Sequence, residues 1–198
     1  MNKPLHGVRI LDLTHMLSGP YGAMIMADLG AETIKVEPLH GEGTRKLLAT
    51  DPDNSLDGMG AYYITLNRNK KSVAIDLKSA SGREVLYDLV RESDVVISNF
   101  GVDVPERLGI DFDSLSKINP RIITCTVTGF GSDGPNPKRP AFDQVAQAMG
   151  GGMSITGPDI ENQVRAGIPI GDLGGGMFAV MGVLAALVER ASSGKGQH

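Results

Sequence analysis

The sequence predicts an α/β fold, a mostly parallel Rossmann-like sheet with flanking helices. Three observations predict it. Short apolar runs alternate with longer stretches of helical period. The first strand, helix and strand fit within about thirty residues, the length of a βαβ unit. Glycine is abundant, 26 of 198 residues, as many tight strand-to-helix turns require.

In order, residues 8–13 form a buried strand bounded by Gly7 and by Thr14-His15. Ser18-Gly-Pro-Tyr-Gly22 opens a helix, with Pro20 tolerated in its first turn, and Gly30 closes it. Residues 33–37 are a second strand. Residues 40–60 show no period and are predicted as a long surface loop, a length that usually serves a function or moves. Residues 71–77 give a strand. Residues 79–92 give an amphipathic helix with Val85, Leu86, Leu89 and Val90 on one face. Residues 94–98 and 121–128 are further strands, with short helices at 104–108 and 112–118 between them. After a turn-rich loop at 129–139, residues 142–149 form a helix ended by three glycines. In parallel sheets, ligands sit beyond the carboxyl ends of the strands, so the segments after each strand are the places to search.

Composition narrows the function classes. Net charge is −4, which argues against non-specific nucleic-acid binding. The lone Cys125 lies in a predicted strand without a cationic neighbour and reads as an inert buried thiol. One cysteine and no signal-peptide pattern fit a cytoplasmic setting. Residues 173–188 are uncharged but short and interrupted by glycines, a poor membrane span. His, Cys, Asp and Glu show no metal-ligand spacing, so no metal site is expected.

Asp172 is the candidate reacting group. It stands among Gly171 and Gly174-Gly-Gly176, in front of an apolar helix read as buried on every side. Asp is also a favoured helix N-cap, and that reading stays open. Against it, the capping-box position holds Gly175. The glycines would let a bulky ligand reach the backbone, and N–H groups at a helix start could hold a developing negative charge. A carboxylate is a weak nucleophile and needs an activated acyl or phosphoryl substrate, such as a thioester. Arg68, Lys70, Lys71, Lys78 and Arg107 flank strands and are either solvated surface charge or a polyphosphate site. Neither Walker-type nor Gly-x-Gly-x-x-Gly spacing follows the first strand, which disfavours an ordinary ATP or NAD site. His15 either contacts ligand or pairs with backbone.

These residues belong to an ordered series. It comprises Leu5-x-Gly-x-Arg-Ile-Leu-Asp-Leu-Thr14 with Gly19-Pro20, Leu29-Gly-Ala-Glu-Thr-Ile-Lys-Val-Glu37, and Asn67-Arg-Asn-Lys-Lys-Ser-Val-Ala-Ile-Asp-Leu-Lys78. Asp94-Val-Val-Ile-Ser-Asn-Phe100, Glu106-Arg-Leu-Gly109, Asn119-Pro-Arg-Ile-Ile123 and Phe142-Asp-Gln-Val-Ala-Gln147 follow. Gly171-Asp172, Ala185-Ala-Leu187 and Gly194-x-Gly-Gln197 complete it. The series resembles the class III CoA-transferases, the formyl-CoA and carnitine-CoA transferase family.

The resemblance implies an enzyme that moves CoA between carboxylic acids with no permanently bound cofactor. Its substrates are an acyl-CoA and a carboxylic acid acceptor. The family's aspartate, here Asp172, attacks the thioester to give a mixed anhydride, and the CoA thiolate returns to form an aspartyl-CoA thioester. The residues implied to line the CoA site are Met16, Leu17, Ser18, Ile75, Asp76, Leu77, Lys78, Asn99, Phe100, Gly101, Arg107, Pro140, Ala141, Phe142 and Asp143. Two positions depart: Pro38 stands where some members have arginine, and Leu17 where some have glutamine. A racemase branch pairs the aspartate with a histidine where Phe142 stands, so one of its two bases is missing here. A non-catalytic CoA-binding module is the other alternative. The match corresponds to roughly the first half of a family member, so residues 1–198 are expected to be the N-terminal CoA-binding α/β region of a longer, homodimeric chain. Consistent with that, residues 192–198 read as a turn that introduces another element.

Overall fold

The computed structural model describes residues 3–198. The chain begins with β1 (Arg9–Asp12), α1 (Ser18–Asp28) and β2 (Glu32–Glu37), and after a 3-10 turn at Gly43–Lys46 forms a small hairpin of β3 (Ser55–Leu56) and β4 (Met59–Gly60). α2 (Ala61–Leu66), β5 (Lys70–Ala74), α3 (Ala80–Arg91) and β6 (Val95–Ser98) come next. α4 (Val104–Leu108), α5 (Phe112–Ser116), β7 (Ile123–Thr126), α6 (Asp143–Met149) and α7 (Ile170–Ser193) complete it.

The main sheet runs β5-β2-β1-β6-β7 with every pairing parallel. From β1 the chain works outward through β2 to β5, then crosses back to place β6 on the other side of β1. The order therefore reverses between β1 and β6. In open parallel sheets such a reversal is the usual place for a ligand crevice at the strand ends.

Strand periodicity divides the core into two layers. Ile10, Val95, Ile97 and Ile123 face α1 and α7, while Leu11, Val96 and Ile122 face the layer that contains Leu86, Val90 and Leu115. In α3, Ser79 caps the helix by accepting the Gly82 N–H, and Leu86 and Val90 are fully buried. The predicted fourth member of that face is corrected: Val85 is 49% exposed, because the apolar stripe is narrower than the run of apolar residues.

Beneath α1 the core is charged. Asp12 and Lys35 are fully buried, and the Lys70 side chain is nearly so. Lys70 Nζ donates to Asp12 at 2.7 Å, to Pro20 O at 2.9 Å and to Asn67 Oδ1 at 2.9 Å. Lys35 Nζ lies 3.9 Å from the same carboxylate and donates to Thr14 O at 2.7 Å. Burial alone would raise the Asp12 pKa, but the two ammonium groups and the Thr14 and Lys70 hydrogen bonds hold it below the usual carboxylate range. The group ties β1, β2 and the start of β5 to the start of α1.

The last helix differs from expectation. It begins at Ile170, two residues before Asp172, and Met177, Phe178, Met181 and Val188 stand exposed on it. By length and apolarity alone it is long enough to cross a membrane, as the core helices of many soluble proteins also are. Its other side, with Ala179, Val180, Val183 and Ala186, packs on the sheet and α1.

Candidate active site

At the β1/β6 reversal the two loops that follow the strands hold each other. The Asn99 side chain accepts the His15 N–H at 2.9 Å and donates to the His15 carbonyl at 2.7 Å. A side-chain amide thus satisfies both backbone groups of a residue that has left the sheet. The His15 ring lies against Phe100, with centroids 5.7 Å apart. Burial pushes the imidazole pKa down, Glu42 pulls it up, and Lys35 lowers it again. Of the two readings of His15, backbone pairing describes its main chain, and its ring is packed.

The head of α7, which carries Asp172, packs on the start of α1 just after β1. Cβ atoms added at Gly175 and Gly176 would lie 2.8 Å from Ser18 Oγ and 2.5 Å from Ser18 O, and one at Gly22 would lie 2.8 Å from Gly176 O. These glycines let the two helices touch. The expectation that they admit a ligand is therefore corrected for Gly175 and Gly176; beside Gly174 there is open space. The first N–H groups of this helix are already engaged. The Ile170 and Leu173 N–H groups are taken by Ile168 O and Pro169 O, and those of Gly171 and Asp172 by Asp143.

Asp143 is the true cap of α7. Its buried carboxylate accepts from Gly171 N at 2.9 Å, from Asp172 N at 3.4 Å, and from Gln147 Nε2 at 2.7 Å. Gln147, one turn on in α6, also accepts the Ala166 N–H at 2.7 Å and so fixes the approach to α7. This arrangement removes the N-cap role from Asp172 and leaves its half-buried carboxylate without a hydrogen-bond donor among the described residues. Burial, and then the negative charge of Asp143, raises the Asp172 pKa.

The structure brings Met16, Leu17, Ser18, Asn99, Phe100, Asp143 and Asp172 to this end of the sheet. Ile75, Asp76, Leu77 and Lys78 follow β5, two strands away, where Asp76 closes a turn by accepting the Lys78 N–H. Arg107 is exposed on α4, Gly101 is exposed before it, and Phe142 is 70% exposed beside the exposed Pro140. Ala141 packs against Gly129, where a Cβ would stand 2.2 Å away. Of the cations that flank the strands, Lys78 and Arg107 are exposed and the other three are engaged. Arg68 and Lys71 pair with Asp28 and Glu32, and Lys70 is buried with Asp12.

Two residues join the site that the sequence did not single out, Glu42 within the stretch predicted as an irregular loop and Tyr62 just beyond it. Tyr62, on α2, has its pKa raised by burial and next by the charge of Asp172, then of Glu42, which places the phenol in the field of both carboxylates. Glu42 is buried and accepts the Met16 N–H at 3.2 Å. Nothing periodic marks either residue; the only local sign is that aromatic pair at Tyr62-Tyr63. Cavities of about 510 and 430 Å³ lie elsewhere, on either side of β7 around Cys125 and His198, and Asp172 lines neither. Burial pushes the Cys125 thiol up to about 11, as an inert thiol requires. No cluster of His, Cys, Asp and Glu able to hold a metal occurs among the described residues.

Comparison with known proteins adds to this geometry. The sequence matches CoA-transferase family III over residues 5–198. It is 44% identical to a formyl-CoA:oxalate CoA-transferase of Streptomyces avermitilis over 100% of this chain and 47% of that one. It is 41% identical to a succinyl-CoA:glutarate CoA-transferase of Mus musculus, covering 98% of this chain and 44% of that one. A crystal structure of a CAIB/BAIF family protein from Brucella suis superposes with a TM-score of 0.93 at 38% identity, over 100% of this chain and 52% of that one. The chain thus spans about half the length of the curated relatives it matches. With the family match running through the sheet, the β1/β6 reversal and the head of α7 together, this chain belongs to CoA-transferase family III.

Proposed function

We propose that residues 1–198 are the N-terminal CoA-binding α/β region of an enzyme that moves CoA between carboxylic acids, with Asp172 as its covalent nucleophile. The observation that carries the reading is the state of Asp172. Its carboxylate is half-buried, relieved of capping duty by Asp143, and carried on a helix head that packs on Ser18 at the start of α1. A carboxylate whose pKa is raised by burial is less stabilised as an anion and so a better nucleophile toward a thioester.

The reaction balances without a redox partner. An Asp172 carboxylate oxygen attacks the acyl carbonyl, the C–S bond breaks, and a mixed anhydride and CoA thiolate result. The thiolate attacks the aspartyl carbonyl and releases the donor acid, leaving an aspartyl-CoA thioester. An acceptor carboxylate then repeats the two steps in reverse and regenerates Asp172. Asp143 holds the helix head in place, and the Tyr62 phenol, which keeps its proton at neutral pH, supplies polarity beside the reacting carbonyl. The relatives named above exchange CoA between pairs of carboxylic acids, which supports the same substrate class here. A homodimer is part of this reading, with the exposed apolar face of α7 as surface for its closure.

The test is Asp172→Ala in the full-length chain. CoA should still bind while exchange between an acyl-CoA and a carboxylate acceptor is lost. In the parent protein, hydroxylamine should trap an acylated residue that mass spectrometry places at Asp172. Turnover retained in Asp172→Ala would remove the reading.

A further inference from the structure

We propose that Glu42 is a positioning residue for acyl-CoA, whose carboxylate holds the turn after β1 in the shape that receives the thioester. The proposal rests on the reading that this turn lines the CoA site.

Met16 stands at φ +66°, a left-handed conformation that a residue with an unbranched side chain seldom adopts unless its surroundings impose it. Packing does not impose it, since Met16 is 42% exposed. Two constraints do. On one side His15 is fixed through both its backbone groups by Asn99. On the other, the Met16 N–H donates to Glu42 Oε1 at 3.2 Å.

Glu42 is itself firmly set. It is buried, its second oxygen accepts the Thr44 hydroxyl, and its N–H donates to Glu37 Oε2 at 2.8 Å. Glu37 is the anchor. It also accepts Arg45 Nε and an Arg45 terminal nitrogen at 2.7 Å each, Tyr63 Oη at 2.8 Å and Ser72 Oγ at 2.6 Å. Arg45 completes the cluster by stacking on Tyr63, 3.9 Å from the ring centre. One buried carboxylate thus joins β2, the 43–46 turn, α2 and β5, and a second passes that rigidity to Met16. Tyr62, next to Tyr63 on α2, is fixed by the same cluster.

The experiment is a mutant cycle in the full-length chain, read as CoA affinity by calorimetry and as kcat and KM for an acyl-CoA. Glu42→Ala should weaken CoA binding and raise KM by about tenfold or more, the size of a lost charge-assisted hydrogen bond, with kcat changing less. Glu42→Gln, which keeps an acceptor oxygen, should recover most of that affinity. Glycine enters the left-handed region freely. The Glu42→Ala loss should therefore shrink to about threefold or less on a Met16→Gly background. Should Glu42→Ala not fold, Glu42→Gln with and without Met16→Gly carries the comparison, the glycine reducing whatever loss Gln shows. Equal CoA affinity in the parent, Glu42→Ala and Glu42→Gln would overturn the proposal, as would a loss undiminished by Met16→Gly. A parent protein that binds no CoA would instead overturn the CoA-site reading beneath it.

Discussion

The Asp143 carboxylate accepts the backbone N–H of Asp172, so the cap of α7 and the candidate nucleophile are two like charges at one helix end. Asp143 raises the Asp172 pKa, after burial itself. Attack requires the ionised form of Asp172, so kcat/KM should fall as pH drops through a pKa above the ordinary aspartate value. Asp143→Asn keeps an acceptor for the Gly171 N–H but removes the charge. Its acid limb should move to lower pH, measured as kcat/KM against pH. An unmoved limb would separate the two groups.

The glycines of α7 should divide by position. Gly176→Ala drives a methyl into Ser18 O and should destabilise the fold by about 1–3 kcal/mol. Gly174→Ala meets open space and relieves backbone entropy, so it should be neutral or stabilise by up to about 1 kcal/mol. Urea unfolding of the two variants decides between helix contact and a general need for glycine.

Asp12→Ala should be among the most damaging changes. It leaves Lys35 and Lys70 buried without their counter-charge, and breaking a buried pair from one side costs about 3–5 kcal/mol. Chemical denaturation measures the loss. Asp12→Ala/Lys70→Met should regain part of it, because one of the two uncompensated ammonium groups is then gone.

Glu37 should govern acid stability. Against burial, which would raise it, the Arg45, Ser72 and Tyr63 side chains and the Glu42 N–H hold its pKa at about 2. A folded pKa below the unfolded one gives stability that is complete above about pH 4.5 and disappears as pH falls toward 2. The linked free energy is on the order of 3 kcal/mol. In Glu37→Gln the slope of stability against pH between those limits should flatten; an unchanged slope would mean the cluster is not linked to folding.

Much of this fold could be read from sequence because its causes are local. The alternation of strand and helix periods follows from which side chains meet the core, and Ser79 capping α3 is set within three residues. Tyr62 and Glu42 could not be found that way. Glu42 gains its meaning from Met16, twenty-six positions earlier, and Tyr62 from Asp172, far later in the chain. The glycines of α7 were legible as close approach but not as to what approaches, since a helix and a ligand ask the same thing of a residue without Cβ. The cap reading of Asp172 stayed open for a related reason: Asp suits a helix start, and only the fold brings Asp143 to take that place.

The reciprocal amide between Asn99 and His15 has a bearing on recognition. Loops leaving two neighbouring strands would ordinarily flutter independently and have to be quieted whenever a guest arrived. Stitched through one side chain, they form a single stiff lip whose ordering is settled when the chain folds. On the proposed CoA-site reading, cutting that stitch with Asn99→Ala would leave Asp172 in place yet turn a preformed mouth into one that each incoming molecule must shape anew.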